Sequence, residues 1–204
     1  NLKASSSAWI AMVLVGGCVG RNLRDHQEAQ SHVTGMNAST SRDYVTNTYP
    51  REASGNGVTV KVARRADVWV SPDRSNWVQR PSGIPNALHD VAFGQGVFVA
   101  VGNEGALVTS PDGNFWTRQN SQTDERLRGI AYGNGLFVAV GYAGTVITSK
   151  DGVRWTVRNS RTTERLQMVT YDHNAFVAVG WKGIILTSAN GIRWARRSSS
   201  CSDR

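Results

Sequence analysis

After about residue 50 the chain alternates between short apolar runs and clusters of turn formers. Leu88 to Phe93 is the first such run in the middle of the chain, and Gly94-Gln95-Gly96 follows it. Val97 to Val101 returns, Gly102-Asn103-Glu104-Gly105 turns again, and Ala106 to Thr109 makes a third run. Asp112-Gly113 supplies another turn before Phe115 to Gln119. Runs of four to six residues bounded by Gly, Asn and Asp predict strands joined by hairpins. Gly133-Asn134-Gly135 carries residues that tolerate positive φ, and Asp172-His173-Asn174 stands at the equivalent place. Val97 to Val101 is apolar at every position, so both faces of that strand need covering.

The pattern repeats. Ser71-Pro-Asp-Arg-Ser-Asn-Trp77 recurs as Ser110-Pro-Asp-Gly-Asn-Phe-Trp116, Ser149-Lys-Asp-Gly-Val-Arg-Trp155 and Ser188-Ala-Asn-Gly-Ile-Arg-Trp194, with a constant step of 39 residues. Gly102, Gly141 and Gly180 keep that step, as do Gly105, Gly144 and Gly183. Four repeats follow, at 49–87, 88–126, 127–165 and 166–204. Four short strands per unit of roughly 40 residues predict an all-β fold of β-propeller blades, each sheet sandwiched between its neighbours.

Within each turn the residue types have a structural reading. Asp73, Asp112 and Asp151, with Asn190 in the last unit, can accept backbone N–H bonds inside their own turns. Gly113, Gly152 and Gly191 permit positive φ, and Trp77, Trp116, Trp155 and Trp194 fold back to fill the space between blades. One carboxylate per turn is too few for calcium, which takes six to eight oxygens. The Ser-x-Asp-Gly-x-x-Trp motif is similar to the Asp-box of the bacterial neuraminidase repeat. The longer unit Gly-x-Phe-Val-Ala-Val-Gly resembles bacterial propellers described as photosystem II stability or assembly factor-like. That resemblance covers residues 55–204 and implies a fold rather than a ligand.

The ends depart from the pattern. Ala63, Ala66 and Arg74 replace repeat glycines in the first unit, and its first strand, Pro50 to Ser54, is polar. Terminal repeats lack a neighbour on one face and are expected to be atypical. The last unit shows no such decay, so a longer array is expected, with Phe176, Val177 and Val179 on an uncovered face. Four blades closing on themselves is the alternative.

Ahead of the repeats, Ala8 to Val15 is too short an apolar run to span a bilayer, which needs about 20 residues. Lys3 precedes it, Gly16-Gly17-Cys18 follows, and this is signal-segment architecture. Val15-Gly16-Gly17-Cys18 resembles the bacterial lipobox, which implies lipidation at Cys18, and Val19 after it implies the outer membrane. An ordinary cleaved signal remains open. Residues 1–17 are thus the signal segment, and 18–48, polar and without hydrophobic period, the tether, spanning roughly 30 Å.

Composition narrows the chemistry. A net charge of +8 admits anionic partners, but the arginines are spread along the repeats without a nucleic-acid-binding module. Two cysteines make no disulfide framework, and four scattered histidines suggest no metal site. No cofactor motif is present: Gly-x-Gly at 94 and 133 lies between strands, with no helix to bind phosphate. Neuraminidase-like hydrolysis would need an arginine triad, a tyrosine–glutamate pair and a carboxylic acid. Tyr132, Tyr171, Glu125 and Glu164 repeat in phase instead, as architecture does. The expectation is therefore a non-catalytic binding or scaffolding module, with glycoside hydrolysis as the alternative.

Strands alternate in direction, so the second turns and the connections between units share one rim. There the units differ: Arg64 and Arg65, Asn103 and Glu104, Tyr142 and Ala143, Trp181 and Lys182, with Arg126, Arg128 and Arg165 nearby. Aromatic rings beside guanidinium groups suit a glycan, a peptide or another anionic polymer. This rim is the expected interaction site.

Overall fold

A computed structural model describes residues 51–63 and 66–197. Cys18, Arg64, Arg65, and the signal and tether segments lie outside the described residues. Among the described residues sixteen strands form four antiparallel sheets, each in sequence order. The first holds β1 (Arg51–Gly55), β2 (Val58–Val62), β3 (Asp67–Ser71) and β4 (Val78–Pro81). The second holds β5 (Leu88–Gly94), β6 (Val97–Gly102), β7 (Leu107–Ser110) and β8 (Thr117–Arg118). The third holds β9 (Leu127–Gly133), β10 (Leu136–Gly141), β11 (Val146–Ser149) and β12 (Thr156–Arg158). The fourth holds β13 (Leu166–Asp172), β14 (Ala175–Gly180), β15 (Ile185–Ser188) and β16 (Ala195–Arg197).

The second strands fill the space between sheets; β2 presents valines on one face, and β6, β10 and β14 are apolar on both. Val60 and Val62 pack against Phe98, Ala100 and Val108 of the second sheet. Val99 and Val101 pack against Phe137, Ala139 and Trp155 of the third, and Val138 and Val140 against Phe176, Ala178 and Trp194 of the fourth. Phe176 therefore points back into the third sheet and is fully buried, contrary to the expectation that it lies uncovered. Its ring follows Phe98 and Phe137, which face backward in the same way. Val177 and Val179 alternate to the other face and are half-buried. Among the described residues no apolar cluster joins the fourth sheet to the first.

The recurring turn forms as its residue types require. Asp112 Oδ1 accepts the Asn114 and Phe115 amides at 2.9 and 3.3 Å, and Asp151 Oδ1 those of Val153 and Arg154 at 2.9 and 2.8 Å. Asp73 Oδ1 takes the Ser75 and Asn76 amides, and Asn190 Oδ1 those of Ile192 and Arg193. Ser71, Ser110, Ser149 and Ser188 each place a hydroxyl beside that side-chain oxygen. The indole N–H of Trp77, Trp116, Trp155 and Trp194 donates to the carbonyl three residues earlier. Backbone donors pull all three aspartates below the ordinary carboxylate range. The glycines are needed for space as well as for φ. A Cβ on Gly191, whose φ is 70°, would lie 2.7 Å from Leu136 Cδ2 and 2.9 Å from Val138 Cγ2.

Candidate interaction rim

The rim lies where the first strand of each sheet starts and the second ends. One backbone bond ties those two points together in three sheets. Asn103 N donates to Ala87 O, Tyr142 N to Arg126 O, and Trp181 N to Arg165 O, each at 2.9 Å. The turn that follows is the same in all three. Glu104, Ala143 and Lys182 are left-handed, with φ of 53°, 51° and 54°, and Gly105, Gly144 and Gly183 come next. At Gly105 and Gly144 a Cβ would overlap the carbonyl of Thr123 or Thr162 in the connecting loop. The scaffold is thus constant, and only the side chains it presents differ.

Those side chains form a ladder across the third and fourth sheets. Arg126 Cζ sits 5.1 Å from the centroid of the Tyr142 ring, and Arg165 Cζ sits 4.7 Å from the same ring. Arg165 is also 4.9 Å from Trp181, so its guanidinium touches two aromatic faces. Contacts of this kind contribute about 0.5–1 kcal/mol each at exposed sites. Both arginines remain exposed, and Trp181 is 46% exposed. Among the described residues no carboxylate is ion-paired with Arg126 or Arg165. Glu164 is taken up by Lys182 Nζ at 2.8 Å, and Glu104 accepts from Asn86 Nδ2 at 2.9 Å. The ladder therefore presents two guanidinium edges in a frame of flat rings.

On the second sheet the rim is a polar chain. His89 Nε2 lies 2.6 Å from Asn103 Oδ1, and Arg128 Nη1 lies 3.5 Å from His89 Nδ1. His89, Asn86 and Glu164 were not among the expected rim residues. His89 could have been found, because it shares Arg128's place in the repeat. Asn86 and Glu164 could have been found too, because with Glu125 they share one place in the repeat, and each bonds the left-handed turn residue of its own sheet, Glu104 or Lys182. Tyr132 and Tyr171 sit away from this rim and pack on Phe137 and Phe176, with ring centroids 4.7 and 4.8 Å apart. Among the described residues no three His, Cys, Asp or Glu side chains gather as metal ligands do.

No family model matches the sequence, and no curated protein does. Solved structures do. YCF48 bound to D1 peptide superposes with a TM-score of 0.52 at 19% identity, over 71% of this chain and 50% of that one. YCF48 from Cyanidioschyzon merolae gives 0.55 at 19%, over 72% and 54%. The chain thus spans about half the length of those two proteins. The GH74 enzyme of Niastella koreensis gives 0.53 at 18% identity, over 71% of this chain and 23% of that one.

The fold is a β-propeller.

Each four-stranded sheet is accordingly one blade, and the ladder lies on the rim of the third and fourth propeller blades. At these identities the likeness extends to the fold alone.

Proposed function

We propose that this propeller is a non-catalytic binding or assembly module that takes an acidic segment of a partner protein across its aromatic–arginine rim. The observation that carries this reading is Arg165, whose guanidinium lies between Tyr142 and Trp181 at 4.7 and 4.9 Å. Rings on either side fix the fork's orientation and leave its N–H edge to meet a carboxylate. A rigid blade scaffold with variable rim residues is also how loops acquire binding roles without cost to the core. The similar structure of YCF48 holds a D1 peptide, which supports a peptide as the ligand class. Cys18 would tether the module to a bacterial envelope membrane through a lipid, a reading that rests on Val15 to Cys18 alone.

The test is binding to immobilised chain of acidic, neutral and basic peptides of equal length, beside envelope glycans. Acidic peptides should bind best, weaken as salt rises, and lose about tenfold in affinity on Tyr142→Ala or Trp181→Ala. Equal binding of all three peptide classes, or unchanged affinity in both variants, would reject this reading. Preferential binding of a neutral glycan would replace it with the carbohydrate alternative.

A further inference from the structure

The connections into the second, third and fourth blades each carry a polar residue at one place in the repeat. In two of them it bonds the left-handed turn residue of the blade that the connection enters. Entering the second blade, Asn86 Nδ2 donates to Glu104 at 2.9 Å. Entering the fourth, Glu164 Oε1 accepts from Lys182 Nζ at 2.8 Å. Entering the third, the same two places hold Glu125 and Ala143. A methyl group stands there where the glutamate needs a donor.

The backbone frame of the third blade matches that of the fourth. Ala143 has φ 51° and ψ 29°, and Lys182 has φ 54° and ψ 29°. Tyr142 N donates to Arg126 O as Trp181 N donates to Arg165 O. The Glu125 amide donates to Thr123 Oγ1 as the Glu164 amide donates to Thr162 Oγ1, both at 3.1 Å. The backbone at Glu125 therefore stands to that at Ala143 as Glu164 stands to Lys182. Among the described residues no side chain bonds the Glu125 carboxylate or pairs with it. Glu164, held by its lysine, is half-buried, whereas Glu125 is exposed, as is Asp124 beside it.

This opening borders the ladder. Arg126 follows Glu125 directly and lies over Tyr142, the residue before Ala143. A segment laid across the ladder passes a carboxylate as well as two guanidinium groups. Carboxylates of the segment satisfy the arginines. A cation in the same segment satisfies Glu125 in the way that Lys182 satisfies Glu164. Resting on the reading of the rim as a site for an acidic segment, we infer that the bound segment carries a lysine among its acidic residues. Its ammonium fills the place over Ala143 and pairs with Glu125. The rim then selects a charge pattern and not negative charge alone.

The chain's net charge of +8 separates this from general attraction. Long-range electrostatics predicts that adding a cation to an acidic peptide weakens its binding. A local pair with Glu125 predicts the reverse at one position. The probes are short Gly–Ser peptides with two aspartates, carrying either a lysine or a norleucine walked through the remaining positions. They are titrated calorimetrically against the full chain. At one position the lysine peptide should bind about three- to fivefold more tightly than its norleucine counterpart, as expected of an exposed ion pair. Glu125→Gln should abolish that preference. Ala143→Lys should abolish it too, because the chain then supplies its own ammonium, in a backbone geometry that already holds Lys182. Norleucine peptides that bind as well or better at every position would overturn the inference, as would a lysine preference that survives both substitutions. Acidic binding that still depends on Tyr142 and Trp181 would in those cases leave the rim reading standing. Failure of every peptide to bind would overturn the rim reading and this inference together.

Discussion

Arg51 and Asp90 occupy the same place in successive repeats, and they form an ion pair at 3.2 Å between Arg51 Nη1 and Asp90 Oδ2. The same carboxylate accepts the Ile130 amide at 2.9 Å and its neighbour Val91's at 3.0 Å. Three blades therefore meet at one side chain. Gly129 and Met168 fill the equivalent positions in the third and fourth blades, so nothing there repeats the pair. The pair fastens a polar first strand that has little apolar surface of its own.

Removing one partner should cost more than removing both. Arg51→Met leaves a buried carboxylate without its cation and should destabilise by about 3–5 kcal/mol. Arg51→Met combined with Asp90→Asn should recover a large part of that loss, since an amide oxygen can still accept from Ile130. Urea unfolding midpoints of the three chains compare them directly.

Acid should act on two sets of carboxylates with opposite sign. Asp112 and Asp151 are depressed by backbone amides, as is Asp73. Their stabilisation is present above the ordinary value of 3.8 and is lost as pH falls through their lower folded values. Burial raises Asp90 above 3.8 in spite of Arg51. Its effect is a gain in stability as pH falls through that raised value toward 3.8, complete below it. Asp112→Asn with Asp151→Asn, which copies Asn190, should flatten the loss below that value. Asp90→Asn should flatten the gain above it. Stability measured by urea at closely spaced pH resolves both.

Two glycines with similar φ should respond differently to alanine. Gly135 has φ 72° and open space around its missing Cβ, so Gly135→Ala should cost about 1 kcal/mol from backbone strain alone. Gly191 has φ 70° and Leu136 and Val138 at close range. Gly191→Ala should cost about 3 kcal/mol, because overpacking adds to the strain. Thermal unfolding of the pair isolates the packing contribution.

Trp155 and Trp181 should separate structure from binding. Trp155 is 7% exposed and bridges the second and third blades, so Trp155→Ala should destabilise by about 3–5 kcal/mol. Trp181→Ala should change stability by no more than about 1 kcal/mol, the worth of an exposed cation–π contact. Chemical denaturation of both variants, read against their peptide affinity, should show opposite ranking.

The blades were legible because turn chemistry and apolar runs recur in phase at a fixed step. The residues that break phase were harder to read. Arg51 and Asp90 look like unrelated polar substitutions in an alignment of repeats, and only packing makes them partners. Phe176 reads from the sequence as an outer-face residue because a doubly apolar strand does not state which side each residue takes. Burial resolves it, since the aromatic faces backward in every blade that has one. On the rim, Tyr142, Trp181, Arg126 and Arg165 were visible as variable positions on a constant scaffold. Their stacking order was not, because it depends on the angle between adjacent blades.

The central claim, that the Arg126–Tyr142–Arg165–Trp181 ladder is the binding surface, is tested most directly by nitrogen-edited proton spectra of the labelled chain titrated with an acidic peptide. The Trp181 indole and the Arg126 and Arg165 side-chain Nε–H signals should shift first and most. Shifts concentrated instead at Phe115, Val153 and Ile192, whose turns lie on the opposite rim, with the ladder signals unmoved, would contradict it.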